Sequence, residues 1–194
     1  VAMQLQGGKH SMGRLPKPAL ALATNACNTY VKWAEFWERY YKIPMVTLDI
    51  PGSRTAAGGA APGTDAFESD RRYLEIQLRE LITECERITG TRLDMDRLRE
   101  VLDYTNRMAA AWKRVLELNR GRPALFNALV DGTVYLGVLN ALRGTREGAE
   151  YFERLVEEME YKAAHRLGTI QDEKYRLLFV GVPCYPIFRR FHEM

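Results

Sequence analysis

The stretch that decides the fold is residues 16–50, PKPALALATNACNTYVKWAEFWERYYKIPMVTLDI. Its apolar run over 19–25 is bounded by turn residues and predicts a buried strand. An aromatic-rich helical segment follows as far as Pro44, and residues 45–50 predict a second strand. Because two strands joined by a crossover helix pair in parallel, this stretch predicts a right-handed βαβ unit.

Composition and charge limit the classes of protein to which the chain can belong. The chain has 194 residues, of which 46% are hydrophobic and 27% charged, as in an ordinary globular protein of one or two domains. A net charge of +3 without a basic run gives no argument for a nucleic-acid partner. No apolar stretch reaches the roughly 18 residues of a membrane span. The N-terminus lacks the pattern of a signal peptide, so we expect a cytoplasmic protein.

The rest of the chain is predicted to be mainly helical until its last segment. We predict an α/β fold: a partial α/β domain over 1–65, a large helical insertion over 66–170 and the start of a second α/β domain over 171–194. The chain begins at Val1 and stops at Met194 within a helical pattern, which we interpret as an internal fragment of a longer polypeptide. Helices are predicted over 66–89, 94–119, 124–142 and 146–166, with ends marked by Gly90, Asp94, Thr145 and Gly168.

Cys27 lies between the first predicted strand and its helix, where open α/β sheets usually bind ligands. We expect Asn28 or Thr29 to cap that helix. The helix dipole favours a thiolate at this position. A thiolate here could hold iron or attack a substrate, whereas a neutral Cys27 could simply pack against the strand end. The residues by themselves leave these alternatives open.

Other candidates are weighed against simpler structural roles. Cys184 follows the last predicted strand, over 175–182, in a position that matches Cys27, whereas Cys85 falls on the apolar face of a helix and is predicted to be core. His10, in the polar segment GGKHSMG, could donate a proton or simply be solvated. His165 is predicted to complement a helix C-terminus.

Two further segments are interpreted as surface. The Gly- and Ala-rich loop over 51–65 matches no nucleotide-binding motif, although Arg54 within it could meet an anionic group. The Glu-rich run 153–160 is interpreted as a solvated helix face. His192 lies too close to the end of the chain to be assigned a role.

Four segments, taken in order, resemble the benzoyl-CoA reductase and 2-hydroxyacyl-CoA dehydratase family. The resemblance is closest to an active-site subunit of an ATP-dependent benzoyl-CoA reductase. It rests on the order and spacing of the segments, which cover nearly the whole chain. They are LPKPALALATNACNTYVKWAEFWERYYKIPMVTLDIPG (15–52), YLEIQLRELITECERITG (73–90), LDMDRLREVLDYTNRMAAAWKRVLELN (93–119) and YRLLFVGVPCYPIFRRF (175–191).

The resemblance implies an iron–sulfur enzyme of anaerobic aromatic degradation. Its 4Fe–4S cluster would lie near a CoA-thioester pocket beside a related active-site subunit, and an ATP-dependent iron–sulfur partner would deliver low-potential electrons. A reductase passes those electrons into the aromatic ring of benzoyl-CoA. A 2-hydroxyacyl-CoA dehydratase instead uses one electron for a radical elimination of water. A non-catalytic ligand-binding or scaffold subunit is an alternative of another class.

The resemblance also assigns roles to cysteines. Cys27 matches a cluster ligand, whereas Cys184 does not clearly match one and Cys85 matches none. Because a 4Fe–4S cluster normally takes three or four protein ligands, the remaining ligands are expected outside this chain. We therefore expect the isolated fragment to be inactive.

Overall fold

The computed structural model describes residues 16–52, 59–127, 129–170 and 172–177. These residues form a mostly helical α/β structure with a two-stranded parallel sheet, which confirms the predicted fold class. The chain divides into two compact units, Val1–Leu93 and Asp94–Met194. The elements are β1 (Ala21–Thr24), α1 (Asn28–Tyr41), β2 (Met45–Leu48), α2 (Asp65–Thr89), α3 (Met95–Leu118), α4 (Asp131–Ala141) and α5 (Arg146–Ala164).

The first unit is built on the predicted strand–helix–strand arrangement. β1 pairs in parallel with β2, so that Ala21 lies opposite Met45 and Thr24 opposite Leu48. The buried residues between sheet and helix are small at three of four positions: Ala21, Ala23, Ala34 and Ile43. Since alanine adds little bulk, α1 can pack close to β1.

The ends of α1 differ in part from the sequence-based expectation. Cys27, rather than Asn28 or Thr29, is the N-cap, with φ −144° and ψ 126°, and the helical conformation begins at Asn28. At the other end, Lys42 is left-handed and its N–H donates to the Glu38 carbonyl at 2.9 Å. The backbone turns out of the extended conformation one residue earlier than predicted, which places the cysteine itself at the helix start.

The end of α2 lies where the sequence predicts it, whereas its capping residue, Thr64, was not predicted. Thr64 caps its first turn by accepting the Phe67 N–H at 3.2 Å, and Gly90 ends it with a φ of 68°. None of the residues of α2 is fully buried, within the part of the chain that the structure describes. The prediction that Cys85 and its apolar neighbours form core is therefore wrong: Cys85 is only partly buried.

The core of the second unit lies around α3 and α5. Met108, Val115, Phe152 and Met159 are its most completely buried large side chains. The Trp112 ring lies 5.6 Å from the ring of Phe152, and edge-to-face packing of this kind adds to the hydrophobic contribution. The caps predicted from sequence are confirmed: Asp94 accepts N–H groups at the start of α3, and Thr145 accepts the Gly148 N–H at 3.1 Å.

Two helix boundaries in this unit were predicted wrongly. The helix predicted over 124–142 begins only at Asp131. The Asn119 amide oxygen accepts the N–H of Leu125 at 2.7 Å and of Phe126 at 3.3 Å, so those groups are used outside a helix. α5 ends at Ala164, two residues before the predicted end at residue 166.

The Glu-rich face of α5 is more than a solvated surface. Glu153 accepts two hydrogen bonds of 2.9 Å from Arg107, and Glu160 lies 2.9 Å from Arg114. Both pairs join α5 to α3. Because all four side chains remain substantially exposed, neither pair contributes much to stability.

No helix within the described ranges is both long and apolar enough to cross a membrane. The predicted domain limits at 65/66 and 170/171 remain predictions.

The first turn of α5 packs closely against its surroundings at Gly148. Adding one methyl group there should therefore lower the stability of the fold. A Cβ on Gly148 would overlap the Leu142 carbonyl oxygen and the Met108 methyl group. We expect Gly148→Ala to lower the free energy of unfolding by about 1–3 kcal/mol. The matched control is Gly137→Ala in α4, which meets no atom within 4 Å and should raise stability by roughly 0.5–1 kcal/mol. Urea unfolding would measure both, and equal effects would contradict the packing described for Gly148.

Candidate functional site

The C-terminal ends of β1 and β2 and the N-terminus of α1 meet at one edge of the sheet, as parallel pairing requires. Cys27 lies at this edge, two residues after Asn25, and its side chain is exposed. The Tyr30 N–H donates to the Cys27 carbonyl at 3.0 Å, so the residue is held in the first turn of α1. The predicted placement of the cysteine at a strand–helix junction is therefore observed.

The surroundings of Cys27 favour its ionised form. The Thr29 side chain is the main cause that lowers the pKa of the Cys27 thiol, and the backbone N–H groups of Thr29 and Tyr30 act in the same direction. Partial desolvation opposes them. A larger thiolate fraction at neutral pH makes this side chain a better nucleophile and a better ligand for a soft metal.

A polar cluster adjoins the same edge, and we call it the strand-end clamp: Asn25, Asp49, Tyr73 and Gln77. The Asn25 amide accepts the Ile50 N–H at 2.9 Å and donates to the Ile50 carbonyl at 3.2 Å. It also donates to the Asp49 carboxylate. The end of β1 is thus tied to the residues that follow β2.

The remaining two members of the strand-end clamp come from α2. The Gln77 amide accepts the Asp49 N–H at 2.7 Å and donates to the Asp49 carbonyl at 3.0 Å. The Tyr73 hydroxyl donates to the other carboxylate oxygen of Asp49 at 2.8 Å, which raises the pKa of Tyr73. Sequence reasoning gave none of the four residues a role, because the hydrogen-bonded pairs are 24 to 28 positions apart in the chain.

A cleft of about 500 Å³ lies between β1 and α1. It reaches the first turns of α1 at Tyr30 and Trp33, whose exposed fractions are 56% and 58%. The aromatic side chains of α1 thus divide: Trp37 packs against the core, whereas Trp33 and its neighbours face outwards. The lining residues are Pro18, Leu20, Ala21, Leu22, Ala23, Thr24, Tyr30, Trp33, Ala34, Trp37 and Leu48.

Another candidate, His165, belongs to the second unit. His165 is the C-cap of α5, with Nδ1 2.9 Å from the Tyr161 carbonyl, which matches its predicted position at a helix end. His10, Arg54, Cys184 and His192 lie outside the described residues, as do most of the residues of the strand predicted over 175–182.

The side chains that could bind a metal determine whether the described residues fit the 4Fe–4S cluster that the resemblance implies. Cys27 offers one exposed sulfur with a lowered pKa, which suits one iron of a cluster. Among the residues that the structure describes, no group of three His, Cys, Asp or Glu side chains could hold a metal ion. The described residues therefore fit a single ligand position of a 4Fe–4S cluster.

Comparison with known protein families gives a match over residues 2–194 to the family described as 2-hydroxyglutaryl-CoA dehydratase, D-component. The chain belongs to this family. The (R)-2-hydroxyglutaryl-CoA dehydratase subunit alpha of Acidaminococcus fermentans is 31% identical over 180 residues, which cover 92% of this chain and 36% of that subunit. A benzoyl-CoA reductase subunit of Thauera aromatica is 33% identical over 190 residues, or 92% of this chain and 42% of that subunit.

A third relative, the (R)-phenyllactyl-CoA dehydratase alpha subunit of Clostridium sporogenes, is 30% identical over 178 residues. These cover 90% of this chain and 41% of that subunit. The chain thus spans between 36% and 42% of the length of the three relatives. The family resemblance drawn from the ordered sequence segments is confirmed.

The effect of the Thr29 side chain on the pKa of the Cys27 thiol predicts how Cys27 reacts. Thr29→Val removes the hydroxyl, so the pKa of the Cys27 thiol should rise and its alkylation by iodoacetamide at neutral pH should slow about 2- to 5-fold. Peptide-resolved mass spectrometry can follow the rate against pH. Thr89→Val is the control, since the Thr89 hydroxyl donates to the Cys85 carbonyl and not to a thiol. An unchanged Cys27 profile in Thr29→Val would contradict the assigned effect of Thr29 on the thiol.

Proposed function

We propose that this chain is part of a catalytic subunit of a CoA-thioester enzyme of the benzoyl-CoA reductase type, in which Cys27 binds one iron of a 4Fe–4S cluster. The proposal rests chiefly on the exposed Cys27 at the strand-end edge of a chain that belongs to the dehydratase family. The remaining cluster ligands would lie elsewhere in the complete protein, with Cys184 as one candidate in this chain.

The residues around Cys27 suit a cluster ligand. When bound, a 4Fe–4S cluster supplies single low-potential electrons. Thr29 and the N–H groups at the start of α1 stabilise negative charge on the Cys27 sulfur, and hydrogen bonds to ligand sulfur tune the reduction potential of such centres. The chain contributes a thiolate, its hydrogen bonds and an apolar cleft beginning one helical turn away at Tyr30.

The cleft supports an aromatic acyl group as substrate. Tyr30 and Trp33 present exposed ring surface along a cleft lined largely by aliphatic and aromatic side chains. Rings of this kind bind a planar apolar group by stacking and edge contacts. This agrees with the 33% identity to the benzoyl-CoA reductase subunit of Thauera aromatica. His10, within the polar N-terminal segment, remains our candidate for a proton donor.

A 2-hydroxyacyl-CoA dehydratase is the second candidate. It is favoured by the description of the matching family and by the names of the dehydratase alpha subunits among the relatives. In either case we propose two kinds of partner: a related active-site subunit and an ATP-dependent iron–sulfur electron donor. The cytoplasmic location remains a prediction.

Loss of the Cys27 sulfur tests the ligand assignment. In the full-length complex purified without oxygen, Cys27→Ser should lower the iron content and weaken the visible absorption of the cluster. Cys85→Ser is the matched control, because Cys85 is a partly buried thiol on α2, away from the strand ends, and should leave both unchanged. Equal iron in the parent and Cys27→Ser complexes would overturn the assignment.

Substrate assays separate the proposed activities. With its electron donor and ATP, the parent complex should reduce benzoyl-CoA and should not dehydrate a 2-hydroxyacyl-CoA ester. The reverse result would establish the dehydratase alternative. A complex without iron and without activity on either ester would indicate a ligand-binding or scaffold subunit instead.

A further inference from the structure

The composition of α4 differs from that of the other helices. Residues 132–142, GTVYLGVLNAL, contain no charged side chain, whereas α1, α2, α3 and α5 carry charges along most of their lengths. A helix that is apolar on all of its sides is typical of one that is buried on all of them. The composition of α4 therefore predicts that both of its sides are covered in the folded protein.

The described residues cover only one side of α4. Tyr135 is buried, and Val138 and Leu139 pack against the core of the second unit. On the other side, Val134 is 57% exposed. The uncovered residues recur at intervals of four, three and four positions, so they lie in one stripe along the helix. We call this stripe the α4 outer face: Val130, Val134, Gly137 and Ala141.

The two polar side chains beside the α4 outer face bind to their own helix. The Thr133 hydroxyl donates to the Leu129 carbonyl at 2.6 Å, and the Asn140 amide donates to the Leu136 carbonyl at 2.9 Å. Each side chain therefore makes a hydrogen bond that needs no water. Together with the absence of charge, this is typical of a helix surface that packs against protein.

A hollow lies at the centre of the α4 outer face. A Cβ built on Gly137 would be more than 4 Å from every atom of the described residues. Val134 and Ala141 flank this glycine on either side along the stripe. Because the side chains at the contact set the distance between two packed helices, a glycine there permits a close approach. The shape and the lack of charge fit another apolar helix that crosses α4 at Gly137.

The length of the relatives indicates where such a helix comes from. The chain spans between 36% and 42% of the three relatives, so well over half of a subunit of that length lies outside it. Permanent contacts resemble a protein core, whereas surfaces for partners that come and go are more polar. An uncharged outer face therefore favours the rest of the same polypeptide over a transient electron donor.

We propose that the α4 outer face is covered by an apolar helix from the part of the complete subunit that lies outside this chain, packed across Gly137. The proposal shares with the proposed function only the premise that this chain is part of a longer subunit. It requires neither iron nor substrate, and it can be measured without them.

The first test places a carboxylate on the α4 outer face of the full-length subunit, purified without its partners. Beneath a packed helix the new carboxylate loses its hydration, so Val134→Asp should lower the midpoint of thermal unfolding by about 5 °C or more. Leu102→Asp is the matched control. Leu102 is 50% exposed on α3, where it lies one turn from the exposed Arg99, so its replacement should change the midpoint by no more than about 2 °C.

Gly137→Leu is a second variant, for which an open and a covered face predict opposite signs. On an open helix surface, leucine in place of glycine raises the midpoint, because leucine is the better helix former. Beneath a packed helix the added side chain overlaps its neighbour, so the midpoint should fall in the full-length subunit.

A measurement on the parent subunit does not depend on the folding of any variant. Carbene footprinting labels side chains that solvent can reach, and mass spectrometry locates the label. Val134 and Leu102 are exposed to similar extents in this chain, at 57% and 50%. In the full-length subunit Val134 should be labelled several-fold less than Leu102, and equal labelling would overturn the proposal.

The remaining outcomes separate the possible occupants of the α4 outer face. Unchanged midpoints of Val134→Asp and Gly137→Leu in the subunit alone, with loss of assembly, would assign the face to a partner subunit and overturn the proposal. Unchanged midpoints with intact assembly would show an open surface and overturn it as well. Should neither variant fold, the labelling of Val134 decides. The iron content of Cys27→Ser is measured independently, so the cluster assignment and this packing can fail separately.

Discussion

The parallel pairing of β1 with β2 is the interaction on which the candidate site depends. Parallel strands require a crossover, and here the crossover is α1, so the ends of both strands and the start of the helix meet at one edge. A shift of one residue in register would turn every side chain of the shifted strand to the opposite face and separate Asn25 from Ile50. Each strand has only four residues, so the backbone ladder between β1 and β2 is short. Just beyond β2, the side-chain amides of Asn25 and Gln77 bind the backbone of Ile50 and Asp49 instead.

The two units differ in what stabilises them. The second unit buries large side chains around Trp112 and Phe152, between helices that are also joined by Arg–Glu pairs. The core of the first unit is smaller and consists mainly of alanine. Regions with little buried apolar area open at lower free energy, so the polar contacts of the first unit contribute a larger share of its local stability.

Local patterns carried most of the correct predictions. The βαβ unit follows from apolar runs around a helical segment, and Thr145, Asp94 and Gly90 mark helix ends through contacts within a few residues. The helix start predicted at residue 124 was wrong because the Asn119 side chain accepts the N–H groups of Leu125 and Phe126 outside a helix. The position of Cys27 was predicted, but the strand-end clamp was not, since the partners of Asn25 become neighbours only after β1 and β2 have paired.

The spacing of these contacts has a consequence for the order of folding. Asn25 and Asp49 are 24 positions apart, and Gln77 follows 28 positions later. Structures closed by short sequence separations form quickly, because little loop entropy is lost before their contacts are made. During synthesis, the turn around Cys27 can therefore form as soon as the chain has been made as far as the end of α2. Any later segment that binds at this edge then meets a preformed surface.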